Sequence, residues 1–144
     1  VRRPWRSKQS LLTLRTEDPA SVAAAARAAG MRVGLALAPG TPASAAFGLA
    51  DAGVLDMLLV MTVNPGFGGQ PFQDDQLKVV TQLRQRYPQI DIQVDGGLSA
   101  ATVDRAAQAG ANVIVAGTAV FGAAEPQQVI AHLRAAVDRA QVKT

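Results

Sequence analysis

Asp51-Ala52-Gly53-Val54-Leu55-Asp56-Met57-Leu58-Leu59-Val60-Met61-Thr62-Val63-Asn64-Pro65-Gly66-Phe67-Gly68-Gly69-Gln70 holds a helix stop, an apolar strand and a glycine-rich loop, in that order. A glycine just past a helix accepts the left-handed conformation that ends it, so Ala52-Gly53 reads as the stop. The same unit recurs as Ala28-Ala29-Gly30 before a strand over 33–37, and as Gln108-Ala109-Gly110 before one over 113–116. A fourth unit stops instead at Tyr87-Pro88, before a strand over 90–94.

Three of these strands, Val-Gly-Leu-Ala-Leu, Met-Leu-Leu-Val-Met and Val-Ile-Val-Ala, are unbroken apolar runs; Ile-Asp-Ile-Gln-Val alternates. Continuous apolar strands between helices predict a parallel sheet covered by helical crossovers. The helices carry start signals too. Asp18-Pro19 and Glu125-Pro126 each place a proline where its missing N–H costs nothing, and Ser99 is the expected cap of a helix through Ala109. Over 74–86, Leu77, Val80 and Leu83, with Val79, form one core-facing stripe.

With 144 residues, 49% of them hydrophobic, the chain is the size of one domain and can build a real core. No apolar run approaches the roughly 18 residues that span a bilayer, and the start lacks an apolar secretion segment. The absence of cysteine excludes disulfides and thiolate metal sites. The net charge of +3 is unevenly placed. Arg2, Arg3, Arg6, Lys8 and Arg15 stand among 1–15 without an acid, while the remaining residues hold nine bases and eleven acids. Residues 1–15 therefore read as a basic tail, disordered or solvated rather than a nucleic-acid arm; an acid-free, Arg-rich start also fits part of a transit peptide.

In parallel α/β folds the functional groups gather at the carboxyl ends of the strands. Those ends are Pro39-Gly40-Thr41, Met61 with its loop, Asp95-Gly96-Gly97 and Gly117-Thr118, all expected on one face. Gly66, Gly68 and Gly69 can aim several N–H groups at one oxyanion, a phosphate nest, or make an ordinary strand-to-helix connection. Asp95 is the carboxylate at a strand end in this group; it either caps its turn or serves as an acid/base.

The blocks from Leu59 to Gln70, Val94-Asp95-Gly96-Gly97 and Val115-Ala116-Gly117-Thr118-Ala119 closely resemble the second half of ribulose-phosphate 3-epimerase. Gly34-Leu35-Ala36-Leu37-Ala38-Pro39-Gly40-Thr41 adds a fourth block, and the resemblance covers about 16–142. It implies an α/β fold made of parallel β/α units from the second half of a (β/α)8 TIM barrel of the ribulose-phosphate binding type, an incomplete barrel. It implies an isomerase that interconverts ribulose 5-phosphate and xylulose 5-phosphate with a divalent metal, zinc or iron, in the cytoplasm or in plastids.

By the same resemblance Asp95 is both a metal ligand and one of two acid/base carboxylates, and Met61 belongs to a methionine cluster near the reacting carbons. Gly66, Phe67, Gly68, Gly69, Gly96, Gly97, Gly117 and Thr118 match the segments that contact substrate, chiefly its phosphate. The family's two histidine ligands and second aspartate have no counterpart, and His132 reads as a solvated helix residue. Where the family has a His-x-Glu strand end, this chain has Leu14-Arg15-Thr16-Glu17, so the resemblance fades there. The organisation expected is a tail over 1–15, unrelated to the family, joined to a partial barrel over 16–144. An open half-sheet exposes apolar faces and edges, so the chain is expected to form a homo-oligomer, to pair with a missing N-terminal half or to be marginally folded, with neither nucleic acid nor membrane as partner. The alternative reading is a non-catalytic phosphate-binding or assembly remnant of the epimerase.

Overall fold

The computed structural model describes residues 9–13, 18–67 and 69–142. Five strands, β1 (Gln9–Thr13), β2 (Arg32–Leu37), β3 (Met57–Met61), β4 (Asp91–Asp95) and β5 (Val113–Val115), form one sheet in sequence order, every neighbouring pair parallel. Helices connect them: α1 (Pro19–Ala28), α2 (Phe47–Asp51), α3 (Leu77–Arg86) and α4 (Val103–Gln108), with α5 (Thr118–Phe121) and α6 (Pro126–Gln141) after β5. Sequential order with one helical crossover per strand is the wall of a β/α barrel. β1 stands in addition to the four strands read from the sequence. Gln9–Thr13 lie within the stretch expected to be a tail, yet they pair with Arg32–Ala36 in register.

The predicted helix stops hold because Gly30, Gly53 and Gly110 adopt φ of 72°, 68° and 115°, closed to most side chains. Asp18 caps α1, accepting from the Ser21 N–H at 3.0 Å. Ser99 does not start a helix. It forms a turn in which its N–H donates to Thr102 Oγ1 at 2.9 Å, and α4 begins only at Val103, with Thr102 at the cap. The stretch over 74–86 opens as a single 3-10 turn, Asp74–Gln76, before continuing as α3, whose Val80 and Leu83 are fully buried.

Register divides the sheet into two faces. Leu35, Leu58 and Ile92 stand side by side on one, as do Leu37, Val60, Val94 and Ile114, and this face packs against α1, α3 and α4 through Ala23, Ala26, Val80, Leu83 and Ala106. The other face carries Ala36, Leu59, Gln93 and Val113 in one row and Met61, Asp95 and Val115 in the next. The alternation in β4 follows: its isoleucine and valine go to the helices, its aspartates and Gln93 to the inner face.

At the amino ends of the strands a polar chain ties the units together. Asp56 accepts the Val33 N–H at 2.8 Å and lies 3.3 Å from the Arg27 guanidinium; Arg32 lies 3.6 Å from Asp91. Asn112 donates to Asp91 at 2.7 Å and accepts from the Ile92 N–H at 2.7 Å and from Arg84 at 2.9 Å. Arg84 also donates to the carbonyls of Gly110, Pro88 and Ile90 at 2.9, 2.9 and 2.8 Å. No helix among the described residues is long and apolar enough to cross a membrane.

Candidate active site

At the opposite rim, a cleft of about 520 Å³ lies over the carboxyl ends of β3, β4 and β5. It is built by the Gly-rich loop after β3, the turn after β4 and the start of α5. Met61 and Asp95 are register partners on neighbouring strands, which places the thioether beside the carboxylate. Asp95 is half-buried, and loss of water contact pushes its carboxyl above the usual carboxylate range. Among the described residues its carboxylate has no hydrogen-bond or ion-pair partner, while its backbone carbonyl accepts from Thr62. It does not cap the turn. A carboxylate without a partner, holding its proton more tightly than usual and facing a cleft, is suited to taking and giving a proton.

The loops keep their shape through contacts both within one segment and between segments. Gln70 Nε2 donates to the carbonyls of Asn64 and Phe67 at 2.7 and 2.8 Å, closing the Gly-rich loop on itself. Within that loop Gly66 and Gly69 have φ of 152° and 79°. After β4 the chain is tighter. A Cβ on Gly96 would lie 2.5 Å from the Val63 side chain, and one on Gly97 would lie 3.0 Å from the Phe72 backbone. These glycines are there because two backbones pass at contact distance.

Of the residues singled out in the sequence, Met61, Gly66, Phe67, Gly69, Asp95, Gly96, Gly97, Gly117 and Thr118 all line this one cleft. Gly68 lies outside the described residues. Pro39-Gly40-Thr41 does not join them; the Gly40 N–H donates instead to Gln76 Oε1 at 3.3 Å. Sequence reasoning missed Gln70 and Thr62. A polar side chain next to a glycine run full of unpaired carbonyls is the signal for the first, and a lone hydroxyl ending an apolar strand for the second.

Residues 9–121 match the sequence profile of the Ribulose-phosphate 3 epimerase family. The chain belongs to this family. Among its epimerase relatives, the cytoplasmic isoform of ribulose-phosphate 3-epimerase from Oryza sativa subsp. japonica is 52% identical over 119 residues, covering 82% of this chain and 52% of that protein. Ribulose-phosphate 3-epimerase from Schizosaccharomyces pombe is 52% identical over 126 residues, covering 88% of this chain and 54% of that one. The chain thus spans about half the length of the curated relatives it matches. Its fold is similar to that of 3-hexulose-6-phosphate synthase from Salmonella typhimurium, with a TM-score of 0.69 over 92% of this chain and 63% of that one at 21% identity.

The metal that the epimerase resemblance implies finds an incomplete site. Among the described residues no three His, Cys, Asp or Glu side chains come together to hold an ion. Among the described residues Asp95 is the one carboxylate on the cleft, and His132 is exposed on α6. A single carboxylate oxygen donor is not a metal centre.

Proposed function

We propose that this chain carries the phosphate-gripping and one proton-transferring part of an epimerase site for D-ribulose 5-phosphate and D-xylulose 5-phosphate. The observation that supports it most is the position of Asp95: a carboxylate without a partner shares one cleft with a Gly-rich loop and two further glycine turns. Backbone N–H groups of these turns suit phosphate oxygens. With the phosphate held there, the sugar carbons extend towards Met61 and Asp95. The Asp95 carboxylate then takes the proton from C3; the C–H electron pair becomes the C2–C3 double bond and the carbonyl oxygen becomes an enolate oxygen, giving an ene-diolate. A second acid, which the described residues do not supply, returns a proton to the other face of C3; the C2–C3 electron pair takes that proton, C3 is inverted and the ketone is restored, while Asp95 keeps the proton it removed until solvent takes it. The Met61 sulfur offers a weakly polar wall beside the reacting carbons that brings no competing proton. A divalent ion, zinc or iron by family resemblance, would find in Asp95 one ligand.

The open edges of β1 and β5 among the described residues support association with a further copy, and the cytoplasm, by analogy with the rice relative, is the compartment proposed, with plastids as the other. A coupled assay for conversion of ribulose 5-phosphate to xylulose 5-phosphate, run with zinc or iron, tests the assignment. Turnover is expected to fall at least about a hundredfold in Asp95→Asn, while affinity for inorganic phosphate stays within a factor of about two. Equal turnover in Asp95→Asn, or none in the folded wild-type chain, would overturn the catalytic part.

A further inference from the structure

Met61 and Val63 line the cleft, and the residue between them does not. Thr62 is fully buried and turned back towards the end of β4. Its N–H donates to the Asp95 carbonyl at 2.8 Å. Its hydroxyl lies 2.6 Å from the Gly96 carbonyl and 3.1 Å from that of Asp95. A hydroxyl has one proton to give, and the Asp95 carbonyl already accepts the Thr62 N–H, so the shorter contact to Gly96 takes it.

That contact has a consequence on the other side of the peptide. No peptide bond here is cis, and in a trans peptide the C=O and the following N–H point in opposite directions. A Gly96 carbonyl held at Thr62 therefore turns the Gly97 N–H away from the buried threonine. No hydrogen bond among the described residues uses that N–H. Gly96 and Gly97 have φ of 117° and 67° and no side chains, so the backbone at this step has little preference of its own for one orientation. The next carbonyl, that of Gly97, is pinned separately by Thr102 Oγ1 at 3.0 Å.

We propose that Thr62 is a positioning residue whose hydroxyl selects the one orientation of the Gly96-Gly97 peptide that offers the Gly97 N–H to an anionic ligand oxygen in the cleft. The ligand part of this rests on the phosphate site proposed above. Thr62 touches no substrate; it acts through the backbone of the residues that do.

Thr62→Val removes the proton and keeps the shape, and Thr62→Ser keeps the proton. Nitrogen-15 relaxation of the Gly97 amide in the ligand-free protein, followed by titration with inorganic phosphate, is the measurement. Thr62→Val is expected to raise motion at Gly97 and to weaken phosphate binding about tenfold, the loss of one hydrogen bond. Thr62→Ser is expected to match the wild type in both. An ordered Gly97 and unchanged phosphate affinity in Thr62→Val would overturn the proposal, and so would a serine variant that behaves like valine. If the valine variant does not fold, the serine variant carries the test alone: a mobile Gly97 there overturns it. A wild-type Gly97 amide that ignores phosphate would overturn the phosphate reading and the ligand part of this assignment. The relaxation comparison, made without ligand, separates that failure from a failure of Thr62 itself.

Discussion

Asp95 sits where its charge is costly. Burial raises its carboxyl in the folded chain relative to the unfolded one, so the native state binds the proton more tightly. Stability conferred by that proton is full below the unfolded value of about 3.8 and is lost as pH rises through the folded value. Asp95→Asn is therefore expected to melt higher than wild type at neutral pH and to converge with it near pH 3. Melting curves across that range check the sign, and a variant less stable at pH 7 would contradict it. Gly96 and Gly117 offer a second contrast at this scale. Gly96→Ala drives a methyl into Val63 and its backbone, and should cost about 1–3 kcal/mol. Gly117→Ala meets nothing within 4 Å, and should change stability by less than about 0.5 kcal/mol. Denaturant midpoints of the two variants make the comparison.

Among the elements, Arg84 ties several together. From the last turn of α3 it reaches the carbonyls around the α3–β4 connection, the stop of α4 and the Asn112 side chain before β5. Arg84→Ala should destabilise by on the order of 2–3 kcal/mol, because several carbonyls lose a charged donor at once. Hydrogen exchange should show the loss concentrated in β4 and β5; a uniform loss would argue against the knot. What the sequence made legible at this scale was whatever is written locally. Gly30, Gly53 and Gly110 announce helix ends because only the backbone at that position matters. The parallel sheet was readable from runs such as Met57 to Met61, and the candidate site from Asp95 and the glycines beside it. Contacts across the fold were not readable. Gly40 leaves the cleft for Gln76, a partner 36 residues away, and Ser99 accepts the Ala101 N–H in the turn ahead of α4 instead of capping α4 itself. The strand Gln9–Thr13 was obscured by the arginines around it, since composition over fifteen residues outweighed five that pair.

As a whole, the described residues form one wall of five parallel strands. Its outer face is covered by helices, and its inner face is partly open: Gln93, Asp95, Val113 and Val115 are only half-buried, while Leu59 and Ala36 are shielded. Among the described residues β5 has β4 as its only strand partner. An apolar strand edge of this kind is a template for another chain. Sedimentation at micromolar concentration should give a mass above that of one copy, and Val113→Lys, which places a charge on the inner face beside that edge, should reduce it. A monomer throughout would refute the association. The two rims of the wall differ in kind. One is fastened by the run of Arg27, Asp56, Arg32, Asp91, Asn112 and Arg84, and the other is held by glycine turns and a few hydrogen bonds. Shape is remembered at one rim and chemistry is written at the other. A loop transplanted between Met61 and Asp74 would inherit a scaffold already locked at its far end, and the wall could acquire a new ligand without having to learn to fold again.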